Sequence, residues 1–241
     1  MFDSTNWAPL NHPVVRRRSV TDGLRRQVNE FDTPRPAHDL AHVRWIGGGS
    51  GAGKSTVAAA LAGRHGLRVY HVERWTEFLS RTTPATAPLL HAFAAMSPDQ
   101  RWLGRSPREM HDTFHGFQGE CFDLVLEDLA DLGPAPTLAE GFSLLPRLVM
   151  PLLTDPAHAV WLLPTPAFRR AAFDARGSTW TIAGKTTDPP RALENLLARD
   201  ALFTEELRRQ SRLARARTLT VDGSLDVEAT TQLVGRYLGL G

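Results

Sequence analysis

Apolar and β-branched residues form five short segments that predict β-strands. Residues 42–46 alternate in polarity, whereas residues 159–163 are apolar throughout, as a central parallel strand should be. The remaining segments are residues 67–72, 137–141 and 218–222. The first two strands flank a helical stretch, and this β-α-β order predicts parallel pairing.

Apolar residues at helical spacing predict the helices. Val57, Ala60 and Leu61 predict a helix that ends at about residues 64–66. A single longer helix is predicted over about residues 107–132, up to a Gly-Pro-Ala-Pro segment that breaks it. Further helices are predicted from about residue 146, over 166–217 with an interruption at 177–190, and after Ser224, which we expect to cap the last helix.

The chain divides into an appendage and one domain. Residues 1–40 have no sustained period and contain several prolines, so we interpret them as an appendage to a domain over residues 41–241. The appendage could pack on the domain, mediate a homodimer or lack fixed structure. The sequence leaves these roles open.

The composition is that of a folded globular protein, with 22% charged and 42% hydrophobic residues. No apolar run approaches the length of a membrane span, and the first ten residues do not resemble a secretory signal. Cys121 is the single cysteine, so no internal disulfide forms and a cytoplasmic location is expected. Arginine supplies nearly all the positive charge, and the net charge of +2 does not indicate a nucleic-acid partner.

The most informative segment is a glycine-rich loop between the first strand and the first helix. It fits the pattern G-x-x-x-x-G-K-[ST], whose curled backbone amides bind a polyphosphate. Its residues are Gly48, Gly49, Ser50, Gly51, Ala52, Gly53, Lys54, Ser55 and Thr56. Lys54 is expected to reach the β- and γ-phosphates of ATP, and Ser55 to bind Mg²⁺. A plain linker or a dinucleotide fingerprint would leave the Lys-Ser pair without a role.

Two carboxylates are predicted at strand ends, where a doubly wound sheet places its ligands. Glu73 follows the second strand and is the candidate that orients or deprotonates the acceptor, or that binds Mg²⁺. The alternative is a surface glutamate in the first turn of a helix. Glu140 ends the third strand and is a candidate Mg²⁺ ligand, directly or through water.

Residues 74–132 lack a predicted strand and are rich in arginine and tryptophan, which suits a helical region that binds the phosphate acceptor. Its candidate substrate-binding residues are Trp75, Arg81, Arg101, Trp102 and Arg105. For each aromatic residue, core packing is the alternative. His111 and His115 lie four residues apart, but no further ligand supports a transition-metal site.

Residues 169–199 are predicted to form a lid over the nucleotide, because arginines flank the interruption of the helical pattern at residues 177–190. Guanidinium groups there can close on phosphates and exclude water. The candidates are Arg169, Arg170, Arg176 and Arg199, with Arg169 and Arg170 assigned to catalysis and the other two to nucleotide binding. The alternative is a solvated helix face with charge pairs such as Arg199 and Asp200.

These residues resemble the small-molecule P-loop kinases of the adenylate-kinase-like group over about residues 42–240. Glu73 stands where such kinases usually carry an aspartate, and Ala139-Glu140-Gly141 resembles the third-strand acid and glycine of uridine kinases. The segment around Asp222 and Gly223 resembles the loop that lines the adenine site. The resemblance implies a parallel sheet of order 2-3-1-4-5.

The sequence therefore predicts an ATP- and Mg²⁺-dependent kinase that phosphorylates a hydroxyl or a phosphate of a small molecule. A GTPase would need an N-K-x-D segment after a late strand, and none is present. A regulatory or assembly ATPase and a kinase for a nucleic-acid or sugar-nucleotide acceptor are the alternatives.

Overall fold

The computed structural model describes residues 40–175 and 182–240. All but one residue of the predicted appendage, together with Arg176, lies outside the described residues. Five strands form one sheet, and every pairing is parallel, in the order β2-β3-β1-β4-β5. The strands are β1 Val43–Gly48, β2 Arg68–His71, β3 Thr137–Glu140, β4 Ala159–Pro164 and β5 Thr218–Val221. The predicted α/β class and strand order are confirmed.

Helices cover both faces of the sheet because side chains alternate along the central strands. Trp45 faces one apolar core, and its neighbour Ile46 faces the other. In the described residues the helices are α1 Lys54–His65, α2 Trp75–Arg81, α3 Pro88–Ala95, α4 Pro98–Trp102, α5 Pro107–Thr113, α6 His115–Gln118, α7 Phe122–Asp131, α8 Pro146–Val149, α9 Pro166–Ala175, α10 Pro189–Ala214 and α11 Val227–Tyr237.

Different helices pack against the two apolar cores. Helices α1 and α11 pack on the Ile46 side through residues such as Leu61 and Val234. On the Trp45 side, α10 and α7 contribute Phe203 and Leu129. Strand β4 is buried at all six positions, as its uniformly apolar sequence predicts. The sheet therefore lies between two well-packed layers of helices, and the carboxyl ends of its strands lie between these layers.

The prediction of one helix over residues 107–132 is wrong. The segment contains α5, α6 and α7, which are separated by an extended Phe114 and by left-handed backbone at Gly119 and Cys121. Phe114 and Phe117 pack face to edge, with centroids 4.8 Å apart, instead of lying along one helical stripe. The chain therefore folds back on itself to build an aromatic cluster.

The predicted cap of the last helix is also wrong. Asp226 caps α11, because its carboxylate accepts a hydrogen bond from the amide of Ala229 at 2.7 Å. The hydroxyl of Ser224 instead donates to Asp222 at 2.6 Å, inside the loop after β5. Serine and aspartate are both favoured N-cap residues, and the loop geometry places Asp226 rather than Ser224 at that position.

Within residues 40–175 and 182–240, no helix has both the length and the apolar character that crossing a bilayer requires.

Candidate functional site

The glycine-rich loop joins the end of β1 to the start of α1, as predicted. Glycine is required at its first position, since a Cβ on Gly48 would lie 2.1 Å from the carbonyl oxygen of Leu162 on β4. Gly53 precedes α1 with a φ of 81°, in the left-handed region that glycine adopts readily. The loop therefore curls closely around the positive end of the helix, a geometry that favours bound phosphate.

Lys54 is buried although it is charged, with 7% of its surface exposed. Its ammonium group donates a hydrogen bond to the carbonyl of Gly49 at 2.9 Å. This contact folds the side chain over the loop. The charge of Lys54 thus lies beside the backbone that would hold a polyphosphate.

Ser55 and Glu140 meet at the end of the sheet. The Ser55 hydroxyl donates a hydrogen bond to Glu140 Oε1 at 2.9 Å, and Glu140 is only 2% exposed. The same carboxylate oxygen contacts Nδ1 of His71 at 2.5 Å. These oxygens suit Mg²⁺, which takes one or two carboxylates and completes its coordination with water and substrate phosphates. Among the described residues, no cluster of three or more His, Cys, Asp or Glu side chains is placed to hold a metal ion.

The sequence analysis missed His71. A signal was present, because His71 is the last residue of β2 and lies in register with Glu140 on β3. Adjacent parallel strands bring such residues side by side. Without the strand register, however, the sequence gives no sign that a histidine on an exposed edge strand lies beside the carboxylate of Glu140.

Glu73 turns inward rather than to the surface. Its Oε1 accepts hydrogen bonds from the amides of Phe142 at 2.7 Å and Ser143 at 3.4 Å. Burial raises the pKa of this carboxyl to about 7, although Lys54 and the two amides act in the opposite direction. Glu73 precedes α2 and is not part of its first turn. A carboxyl that titrates near neutrality is suited to proton transfer.

Arg169 and Arg199 share one buried carboxylate, that of Asp200. Arg199 Nε donates to Asp200 Oδ1 at 2.7 Å, and Arg169 pairs with the other carboxylate oxygen. All three residues are less than 9% exposed. Burial lowers the pKa of each arginine to about 9, and for Arg199 the neighbouring Arg169 and Arg105 act in the same direction. The alternative of a solvated Arg199–Asp200 pair is therefore wrong.

The predicted lid arginines occupy different places. The Cγ of Arg169 lies 3.7 Å from the position of a Cβ on Gly51, so this residue covers the glycine-rich loop. Arg170 is solvent-exposed and bonds to Glu194 at 2.8 and 2.9 Å. Arg199 lines a pocket formed mainly by aromatic side chains. Arg176 falls outside the described residues.

That pocket has a volume of about 280 Å³ and borders the glycine-rich loop at Ser50. It contains three of the predicted acceptor-binding residues, Trp75, Arg101 and Trp102. Sequence reasoning missed its other walls, because they come from separated elements: Phe93, Pro98, Phe114, Phe117, Phe142, Ile182 and Lys185. We call this cavity the aromatic pocket.

Arg81 and Arg105 do not line the aromatic pocket. Arg81 bonds to Glu127 at 2.9 Å and also to Asp128, on the outer side of α7. Arg105 donates to the hydroxyl of Thr113 at 2.7 Å and so connects to the end of α5. Both contacts stabilise the helical region, and neither brings the guanidinium group to the loop.

His111 lies in α5 and His115 in α6, so the two do not share the face of one helix. Neither nitrogen of His115 has a hydrogen-bond partner among the described residues, and its ring packs 4.3 Å from that of Trp75. Burial, and then Arg199, lower the pKa of His115 to about 4. A neutral imidazole therefore serves as an aromatic packing group behind the pocket wall.

Asp222 and Gly223 lie in the exposed loop between β5 and α11. Asp222 accepts hydrogen bonds from the amide and the hydroxyl of Ser224 at 2.9 and 2.6 Å, and these lower its pKa. Gly223 faces Phe168 of α9, which lies 3.4 Å from where a Cβ would sit. The loop thus adjoins the helix that carries Arg169.

Comparison with known proteins adds little to the site. No family model matches the chain, and no curated protein matches it. A solved structure of an uncharacterised protein from Eubacterium ventriosum is similar, with 14% identity over 82% of this chain and 97% of that one and a TM-score of 0.40. The parallel sheet of order 2-3-1-4-5, flanked by helices, is typical of a P-loop NTPase core and is compatible with nucleotide binding.

Proposed function

We propose that this chain is a P-loop phosphotransferase that moves the γ-phosphoryl group of ATP to a hydroxyl group of a small molecule, with Mg²⁺ as cofactor. One observation carries the proposal. The aromatic pocket is lined by Ser50 of the phosphate loop and by Phe142, whose amide donates a hydrogen bond to Glu73, a carboxyl whose pKa burial raises to about 7. A kinase requires this juxtaposition of a phosphate site, an acceptor pocket and a base.

The nucleotide would lie along the glycine-rich loop with its phosphates toward α1. Lys54 would leave the carbonyl of Gly49 and bind the β- and γ-phosphates. Ser55 and Glu140 are the residues that would hold Mg²⁺, which would supply positive charge that neutralises the phosphates. Arg169, whose side chain lies against Gly51, would add positive charge at the loop. Positioning and charge neutralisation then account for most of the catalysis.

Glu73 would act on the acceptor. The amide of Phe142 fixes its carboxylate, and Phe142 is itself a wall of the aromatic pocket. A hydroxyl group that reaches past Phe142 from that pocket would meet a fixed carboxylate that can accept its proton. With a pKa of about 7, the carboxylate is substantially deprotonated at neutral pH.

A screen of metabolite mixtures for an ATP-dependent mass gain of one phosphate tests the proposal. The wild-type chain should phosphorylate at least one acceptor faster than it hydrolyses ATP without an acceptor. Lys54→Ala should lose this transfer, whereas Arg64→Ala, on the exposed face of the same helix, should keep it. Hydrolysis that no acceptor changes would instead indicate an ATPase.

A further inference from the structure

The walls of the aromatic pocket indicate what it binds. Six aromatic side chains surround it: Trp75, Phe93, Trp102, Phe114, Phe117 and Phe142. They pack mainly edge to face or tilted, as in the pair Phe93 and Trp102, whose centroids are 5.5 Å apart at 69°. Such a surface binds a flat ring by stacking and edge contacts.

The polar groups of the pocket are almost all cationic. Among the described residues that line it, Arg101, Lys185 and Arg199 are the charged ones, and none carries a carboxylate or an amide side chain. Reading the edge of a nucleobase, or the hydroxyl groups of a sugar, requires hydrogen-bond acceptors as well as donors. The pocket instead offers donors and positive charge, which match an anionic group.

Arg199 supplies the most specific feature. Its Nε and Nη2 bond to Asp200, while Nη1 is buried and has no acceptor among the described residues. The guanidinium carbon lies 5.0–5.1 Å from the ring centroids of Trp102, Phe114 and Phe117. A buried donor without an acceptor is costly, and an oxygen of an anionic ligand would satisfy it.

Arg101 is oriented by the backbone. Its Nε and Nη2 donate to the carbonyls of Phe93 and Ala94 at 3.0 and 2.9 Å, and its guanidinium lies over the Phe93 ring. These bonds hold the side chain against the pocket without neutralising its charge. Arg101 therefore provides a positioned positive charge within an aromatic enclosure, and Arg199, which is paired with Asp200, adds a buried donor without an acceptor.

We propose that the pocket binds a hydroxylated aromatic acid, meaning a flat and largely apolar ring that carries a hydroxyl and an anionic group. The ring lies among Trp75, Phe93 and Phe142, and the anion faces Arg199 and Arg101. The transfer step rests on the proposed function, whereas binding does not. In that step the acceptor oxygen forms a bond to the γ-phosphorus, the bond to the β-γ bridging oxygen breaks, ADP leaves with those electrons, and Glu73 accepts the proton.

Calorimetry of the full chain without nucleotide tests the binding. The probes are hydroxybenzoates, hydroxyphenylacetates and hydroxynaphthoates, each compared with its methyl ester, with the saturated acid hydroxycyclohexanecarboxylate and with uridine. At least one aromatic acid should bind about 10- to 100-fold more tightly than its ester, because the charged hydrogen bond is lost. Absence of binding by every aromatic acid, or tighter binding of uridine or the saturated acid, would overturn the proposal.

Variants separate the anion site from general packing. Arg101→Gln and Arg199→Lys should each weaken binding of the acid about tenfold or more while leaving the ester unchanged. Arg81→Gln, a matched change outside the pocket, should alter neither. Arg101 is less buried than Arg199, so Arg101→Gln decides the question even where Arg199→Lys fails to fold. Unchanged affinity for the acid in Arg101→Gln contradicts the anion site.

Adding Mg²⁺ and ATP to the same mixtures distinguishes this proposal from the proposed function. An aromatic acid that binds, in mixtures where no compound gains a phosphate, supports the pocket assignment and contradicts the kinase. A different acceptor that gains a phosphate, with no aromatic acid bound, supports the kinase and overturns the pocket assignment.

Discussion

The hydroxyl of Ser55 lies 2.9 Å from the carboxylate of Glu140 and donates a hydrogen bond to it. This contact joins the first turn of α1 to the end of β3, two segments 85 residues apart in the chain. It places a hydroxyl and a carboxylate oxygen together at the carboxyl end of β3, where the glycine-rich loop meets α1. The contact is the structural basis for a magnesium site in the account of this chain as a phosphotransferase.

Lys54→Ala should reduce phosphoryl transfer by about 10²- to 10³-fold, because the positive charge that stabilises the transferring group is lost. The free energy of unfolding should change by only roughly 1 kcal/mol, the value of one hydrogen bond, here that to Gly49. Steady-state kinetics and urea unfolding measure the two effects. Arg64→Ala is the control, and transfer that persists undiminished in Lys54→Ala would remove the role of the loop.

Ser55→Ala and Glu140→Gln should each weaken Mg²⁺ binding in the presence of an ATP analogue. Because the two side chains bond to each other, the double variant should lose less than the sum of the single losses, with a coupling energy of about 0.5–3 kcal/mol. Calorimetric titration of Mg²⁺ into the protein with saturating analogue gives these values. Strictly additive losses would mean that the two residues act at separate places.

Wild-type activity should rise with pH through about 7, since Glu73 must be deprotonated to accept a proton. Glu73→Gln should remove this inflection and lower kcat. Glu77→Gln, a nearby exposed carboxyl paired with Arg74, should retain the wild-type profile. An unchanged pH profile in Glu73→Gln would assign the base to another group.

The same carboxyl makes stability depend on pH. Its pKa is about 7 in the folded chain, above the ordinary 4.5, so the folded state binds the extra proton between these values. The free energy of unfolding contributed by Glu73 therefore falls as pH rises through that window, by roughly 1–3 kcal/mol. Urea unfolding at about pH 5 and pH 8 should reveal this fall in the wild type and a smaller fall in Glu73→Gln. An equal fall of the free energy of unfolding in the wild type and in Glu73→Gln would contradict the assignment of this pH dependence to Glu73.

Asp200→Asn should destabilise the protein by about 3–5 kcal/mol, because it removes the charge that two buried arginines share. Glu194→Gln removes the partner of exposed Arg170 and should cost less than about 1 kcal/mol. Urea unfolding compares the two changes. Similar small effects of both would mean that water, rather than Asp200, solvates the arginines.

Sequence reasoning succeeded where a local pattern fixes the geometry. Period-two alternation was enough to predict the strands and the position of Glu140 at a strand end, and the glycine-rich loop placed Ser55 at the start of the first helix. The strand order followed only from the resemblance to P-loop kinases. Sequence reasoning failed where several short elements converge. Nothing local in the sequence tells that Phe93, Phe117 and Phe142 share one pocket, or that the chain turns at Gly119 and Cys121.

Arg199 illustrates the same limit. Its neighbour Asp200 suggested a solvated charge pair, because adjacent opposite charges on a helix are usually exposed. The pair is buried because α10 presents it to Arg169 on one side and to the aromatic rings on the other. Only the packing of α10 against other elements decides which surface of that helix meets water.

Calorimetry of a non-hydrolysable ATP analogue with Mg²⁺ tests the central claim most directly. The wild-type chain should bind the analogue, with affinity that falls when Mg²⁺ is removed and falls further in Lys54→Ala. Absence of binding to the wild-type chain, with or without Mg²⁺, would contradict the account.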